Sequence, residues 1–435
     1  MVHGANAVLR QCLCMKVLFI SIVNEKGGAI VKRLIRLSLF FVGGITTISI
    51  VALFALIVIY SETAITDADT TTTVNDSNWS IENSAVIADM EILMSAYDLP
   101  SVSIAVAVNG EMVLASARGY ANVADGISAT PATMYSIGSI AKPMTAVAMM
   151  RYWDRGIIDL DSPIAARLPE WPGRHAAITP RQLASHSAGI PHVYSGRASQ
   201  ELISQEIYNN ARSALSVFAD ESLLFEPGQD FTYSSSGYTL LSAWLEAVAG
   251  QDWQDLMDAE VWRPLMMTST VLHRQPRQKQ EAQDYMARIS ENTWLPRIPT
   301  ERSFMFGGGA VLSSPVDLVR FALGVMNDDF LSPESRSLMW QPVALPMGEG
   351  ESVINAQNYG LGWRSDETPG SSSITGVHHG GTVAGGASSF LLLYPQFNAV
   401  IAIATNAATP PELRAAMWRI LRSYISTDSP REPSV

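Results

Sequence analysis

Cysteine is nearly absent: Cys12 and Cys14 are the only two in 435 residues. The chain beyond residue 14 can therefore form no disulfide and no thiolate metal site. Lysine is almost as scarce. Three of the five lysines, Lys16, Lys26 and Lys32, precede residue 37, and only Lys142 and Lys279 follow residue 60, where 21 arginines stand. Charged residues make up 16% and hydrophobic ones 47%, which excludes a disordered or collagen-like chain. No H-E-x-x-H occurs, which argues against a zinc peptidase, and no G-x-S-x-G, which argues against an α/β-hydrolase. His186 has no second histidine or carboxylate at metal spacing and reads as a hydrogen-bonded loop residue. No metal and no other cofactor is expected.

Six of the 29 basic residues and one of the 41 acidic ones lie in the first sixty positions, which leaves 23 against 40 for the rest. A body that acidic repels phosphate backbones, so nucleic acid is not an expected partner. Leu37 to Tyr60 is a run of 24 uncharged residues. As a helix it would extend about 36 Å, enough to cross a bilayer with some tilt. Lys32, Arg33 and Arg36 precede it, while Glu62, Asp67 and Asp69 follow. The positive-inside rule then leaves residues 1–36 in the cytoplasm and sends everything after Tyr60 to the exported side. A single-pass membrane protein with an exported body is the expectation. Residues 61–83, rich in Ser, Thr, Asp and Asn, read as a linker, and residues 427–435 as a polar tail.

Residues 84–426 form the expected folded domain. Val102 to Val108 alternates around Ile104 and Val106, Asn109-Gly110 offers a tight turn, and Met112 to Ala117 runs back, the pattern of a β-hairpin. Phe390 to Tyr394 and Val400 to Thr405 make a second hairpin, followed by a helix with Leu413, Met417, Ile420, Leu421 and Tyr424 on one stripe. About residues 144–300 are dominated by helical patterns. The fold class predicted is α/β (α+β): one antiparallel sheet built from both ends of the chain, flanked by helices, with a mostly helical second lobe. A site would lie in the cleft between the lobes.

Ser139-Ile140-Ala141-Lys142 is an S-x-x-K. Positions i and i+3 share a helix face, so the ammonium reaches the hydroxyl, and a helix start offers free backbone N–H groups to an oxyanion. A chain that otherwise uses arginine has a lysine here, a group able to lose its proton. Further along stand Tyr233-Ser234-Ser235-Ser236-Gly237-Tyr238 and His378-His379-Gly380-Gly381. With LASHSAGIP from Leu183, the stretch Gly307 to Phe321, YGLGW from Tyr359, and Val400 to Asn406, the order resembles the serine β-lactamase and penicillin-binding-protein superfamily. The resemblance is to its class C-like branch of esterases, D-amino peptidases and β-lactamases.

The resemblance implies Ser139 as the nucleophile of an acyl-enzyme, with Lys142 and Tyr233 moving its proton and either of them as the base. It implies an oxyanion hole from the backbone N–H groups of Ser139 and Gly381, and substrate contacts from Ser235, His378, His379 and Gly380. Two departures are visible. Ser235 stands where the family often has the Asn of Y-x-N, and His378-His379-Gly380 where β-lactamases have K-T-G. A histidine is mostly neutral at pH 7, which favours an ester or peptide hydrolase over an efficient β-lactamase. Val383 to Gly386 is one residue longer than the usual turn. The expected partners are a small-molecule or peptide substrate and, through the apolar span, the membrane. A second reading is a catalytically idle module that binds cell-wall peptide or partner proteins; the retention of Ser139, Lys142 and Tyr233 argues against it. Gly307 to Gly309 lacks the context of a phosphate loop and reads as close-packed backbone, and Trp363 either lines the cleft or fills core.

Overall fold

The computed structural model describes residue 57 and residues 61–63, 69–169, 171, 177–193, 205–274, 278–290, 292–348, 351–355, 357–367, 374–408 and 413–425. Among them no helix is long and apolar enough to cross a membrane. The span expected over Leu37 to Tyr60 lies, Ile57 apart, outside the described residues, as do Cys12, Cys14 and residues 427–435.

The elements that build the site are, in chain order, β1 (Thr71–Asn75), α1 (Ser80–Tyr97), β2 (Ser101–Val108) and β3 (Glu111–Asn122). Next come β4 (Tyr135–Ser136), α2 (Ala141–Asp154), α3 (Pro180–Ala184) and α4 (Ser235–Ala249). Then follow β5 (Tyr285–Ser290), β6 (Thr293–Pro296), β7 (Val311–Ser313) and α5 (Pro315–Met326). The chain closes with β8 (Arg364–Glu367), β9 (Ile374–Thr382), β10 (Ser388–Tyr394), β11 (Ala399–Thr405) and α6 (Leu413–Tyr424).

The main sheet runs β8-β9-β10-β11-β2-β3-β1, with the short strand Ile127–Ser128 on β3, and every pair is antiparallel. Both hairpins read from the sequence are present. Asn109 (φ 54°) and Gly110 (φ 84°) both take the left-handed conformation that a two-residue hairpin turn requires. The seam between the two chain ends is β11 on β2, with Ile403 opposite Ile104.

Side-chain alternation explains how the sheet is covered. Ile104 and Val106 of β2 and Ile401 and Ile403 of β11 face α1 and α6, where they meet Met90, Met417 and Leu421 in one core. Ala105, Ala107 and Ala402 face the other way, into the core that holds α2, α4 and α5. Small residues on that face let the helices approach closely. The stripe predicted for α6 is buried throughout.

One expectation needs correction. The segment read as a linker over 61–83 contains β1, which pairs with β3, and the first turn of α1. Its threonines are polar enough to suggest a linker, yet β-branched Thr suits an edge strand with one wet face. The region 144–300, expected to be mostly helical, also holds the β5–β6 hairpin, extended by Glu62–Thr63.

Candidate active site

The candidate site opens between the sheet and the helical lobe as a cleft of about 730 Å³ whose walls include Ser139, Tyr233, Ser235, Arg364, Gly380 and Thr382. Ser139 lies in a single 3-10 turn, Gly138–Ile140, that runs straight into α2. Gly138 takes φ 50°, and a Cβ there would stand 3.0 Å from the Thr382 nitrogen, so the turn can press against β9 only with glycine. Lys142 sits on the next turn and is completely buried.

Its ammonium nitrogen has three neutral acceptors: Ser139 Oγ at 3.1 Å, Ser235 Oγ at 3.0 Å and the Gly308 carbonyl at 2.5 Å. Among the described residues no carboxylate shares this shell. Burial, and secondly the positive charge of Arg364, push the Lys142 pKa well below the usual lysine value. Tyr233 lies beneath it, its ring centroid 4.7 Å from Nζ. That ring face favours the charged amine, but desolvation of a fully buried ammonium is the larger effect.

Two histidines hold the Tyr233–Ser235 segment in place. Ser234 caps α4 by accepting from the Gly237 N–H, and its own N–H donates to His186 Nδ1 at 3.1 Å. The Ser235 N–H donates to His192 Nδ1 at 3.2 Å. Both rings must be neutral to accept in this way. Burial and the neighbouring Lys142 lower His186 strongly and bring His192 down to about 4. His186 is thus the hydrogen-bonded loop residue expected of it, and its ring also packs on Tyr233 and Tyr359.

The close-packed reading holds for Gly307 and Gly308, while Gly309 has only ordinary contacts. A Cβ on Gly307 would meet Thr145 Oγ1 at 2.2 Å, and one on Gly308 the Ser235 carbonyl at 2.5 Å. That packing is what delivers the Gly308 carbonyl to Lys142. Trp363 is core: fully buried and stacked on Phe321.

The third motif requires a shift of register. Side chains alternate along β9, so His378 and His379 point to opposite faces. His378 stacks on Phe390 and reaches Asp366 at 3.5 Å, on the α1/α6 side, and does not line the cleft. His379 faces the site, buried against Tyr359, Arg364 and the Tyr233 ring. Gly380 O can only accept, so Nδ1–H donates to it at 2.7 Å and Nε2 accepts from the Tyr359 hydroxyl at 3.0 Å. Burial and Arg364 keep this ring neutral.

The same slip moves the second backbone donor. Val383 donates its N–H to Ala387 across the β9–β10 turn, so by the antiparallel pattern Gly381 turns its N–H toward β10. Thr382 turns its N–H the other way, toward Gly138 and the cleft. The pair of donors facing the cleft is therefore Ser139 and Thr382, not Ser139 and Gly381. Gly381 has a different duty: a Cβ there would lie 1.8 Å from the Ile137 carbonyl. Sequence reading did not single out His192 or Arg364, which directly follows the YGLGW segment, and it gave Gly308 and Tyr359 no role in the site.

A serine hydroxyl beside a buried, charge-depleted lysine and two cleft-facing N–H groups defines a class of fold that supports acyl transfer. The beta-lactamase family profile matches residues 86–425, and the chain belongs to that family of serine hydrolases. Serine beta-lactamase-like protein LACTB, mitochondrial, from Homo sapiens is 27% identical over 385 residues, covering 68% of this chain and 69% of that protein. Penicillin-binding protein 4* of Bacillus subtilis is 26% identical over 326 residues, 72% of this chain and 69% of that one. The crystal structure of SurE superposes with a TM-score of 0.66 at 26% identity, over 82% of this chain and 78% of the other, and SurE has also been solved with D-Leu.

Proposed function

We propose that this protein hydrolyses an ester, amide or D-amino peptide through an acyl-enzyme on Ser139. The observation that carries the reading is the fully buried Lys142 amine 3.1 Å from Ser139 Oγ, with no carboxylate among its partners. A lysine whose proton is destabilised by burial and by Arg364 loses it more readily and is a candidate base. Neutral Lys142 takes the Ser139 proton as Oγ bonds to the substrate carbonyl carbon. The oxygen charge that develops faces the N–H groups of Ser139 and Thr382. The proton then passes to the leaving alcohol or amine, with the Tyr233 hydroxyl assisting, and water releases the acyl group by the same route in reverse. The D-Leu with which SurE was solved favours substrates that contain a D-amino acid.

Intact-mass analysis after treatment with a fluorophosphonate tests this. One adduct per chain is expected, absent in Ser139→Ala, which deletes a single oxygen and keeps the fold. An adduct that survives Ser139→Ala sinks the assignment. A panel of p-nitrophenyl esters, D-aminoacyl amides and nitrocefin then orders the substrates.

We further propose that residues 37–60 anchor the protein and that the hydrolase domain lies on the exported side, on the strength of the apolar run and the basic residues before it. A reporter enzyme fused after residue 83 should be active only on that side. Cytoplasmic activity of the fusion would overturn both anchor and location.

A further inference from the structure

The cleft that holds Ser139 has an apolar mouth. Met286 of β5 and Ile298, two residues beyond β6, both line it, and they are 50% and 75% exposed. Met305 and Val383, less exposed, line the same cleft. Ile207, 56% exposed, stands beside the Ile298 loop: Gln205 donates its side-chain N–H to the Pro299 carbonyl at 3.0 Å, and Tyr208 its backbone N–H to Ser303 Oγ at 2.8 Å. The loop is tied down on both sides of its exposed isoleucine. Arg297 donates from Nε to the Ala384 carbonyl and from Nη2 to Thr300 Oγ1, both at 3.0 Å, and its backbone N–H donates to the Asp284 carbonyl at 2.7 Å. Large apolar side chains held out into water around one opening mark a surface that something apolar covers.

The path of the chain from the proposed anchor points to the covering. Glu62 and Thr63 pair antiparallel with β6, Glu62 opposite Trp294 and Thr63 opposite Thr293. That register carries the chain, followed back toward the apolar run, along β6 in the direction of Pro296 and the Ile298 loop. The run ends at Tyr60, two residues before Glu62, and two residues reach at most about 7 Å. Trp294 and Ile298 are separated by at most about 14 Å of chain. An anchor over residues 37–60 therefore leaves the bilayer beside β6, within about 25 Å of the cleft mouth.

We propose that the cleft mouth rests on the bilayer surface and that the substrate is a membrane-resident amphiphile, an ester or amide whose apolar tail lies along Met286 and Ile298 while its carbonyl reaches Ser139. Contact with lipid takes the exposed side chains out of water, and each methylene group of a tail that leaves water there adds to binding. This inference deepens the function proposed above and rests on both the Ser139 nucleophile and the anchor.

The test uses the full chain in phosphatidylcholine vesicles, with Cys12→Ser and Cys14→Ser, and a bimane fluorophore attached through Ile298→Cys. Quenching by a nitroxide on the lipid chains, with protection from aqueous iodide, is expected. A protein that floats with the vesicles while its bimane meets iodide and not the lipid nitroxide overturns the proposal and leaves the anchor intact. A protein that does not float strikes the anchor and the proposal together. A second arm compares p-nitrophenyl decanoate with p-nitrophenyl acetate, which share a leaving group and differ in the tail. Met286→Ser combined with Ile298→Ser should lower the ratio of their kcat/KM values by about tenfold or more. A ratio that stays within about twofold overturns the tail contact. Hydrolysis that persists in Ser139→Ala would instead strike the nucleophile assignment, and the bimane would still decide where the mouth lies.

Discussion

Lys142 Nζ lies over the face of the Tyr233 ring, 4.7 Å from its centroid. Nucleophile, amine and phenol thus form one contiguous group, and their substitutions should not add. Lys142→Ala and Tyr233→Phe are each expected to lower turnover by about 10²–10⁴-fold. The double variant should be close to the worse single one, because each already disables the same proton transfer. Single-turnover acylation rates for the four proteins check this; a double loss equal to the product of the singles would mean the two act independently.

The pH dependence follows from the same amine. In the proposed mechanism neutral Lys142 is the active form, so acylation should rise with pH along an acid limb set by the lysine. That limb lies well below the usual lysine range, because burial and Arg364 both disfavour the proton. Removing a positive neighbour makes protonation easier, so Arg364→Gln should move the limb to higher pH. A limb that moves down, or stays fixed, would show that the field of Arg364 does not reach Nζ.

The two histidines of the third motif should separate cleanly. His379→Ala removes the acceptor of the Tyr359 hydroxyl next to Tyr233 and should slow acylation. His378→Ala opens a gap beside Phe390 on the far face and should cost about 1–3 kcal/mol of stability with little effect on acylation rate. Thermal melts and labelling rates on both variants decide it, and the opposite pattern would restore the register in which His378 serves the substrate.

Gly381→Ala is a probe of the contact between β9 and the nucleophile turn. The added methyl would meet the Ile137 carbonyl at 1.8 Å and the Ser139 nitrogen at 3.0 Å. Relief requires β9 to retreat from Gly138–Ser139, so acylation should fall at least about tenfold and the melting temperature should drop, since overpacking typically costs about 1–3 kcal/mol. An unchanged labelling rate would show that the two donors need not be held so closely.

What the sequence disclosed and what it hid divide along physical lines. The hairpins at Asn109-Gly110 and after Tyr394, the stripe of α6, and the reach of Lys142 to Ser139 are local patterns with fixed periods, and such patterns are legible. The strand at Thr71–Asn75 was read as a linker because only its pairing with β3 gives its threonines a face to bury. His378 and His379 differ by one position, and a one-residue slip exchanges the faces of a strand. Gly308 acts through its carbonyl, which no side chain advertises. Arg364 follows a segment recognised for its packing, and only the fold brings its charge beside Tyr233 and His379.

The pairing of Ile104 with Ile403 has a consequence for the order in which the protein is made. The nucleophile turn is synthesised early, yet Thr382, one of the two donors facing it, and the strand that seals β2 come almost 250 residues later or more. A growing chain that displays Ser139 has neither the finished sheet nor the second donor, and contacts this distant in sequence form slowly. Reactivity therefore arrives only with the last strand: the ribosome carries no half-made hydrolase, and a chain cut short before β11 should be inert rather than unregulated.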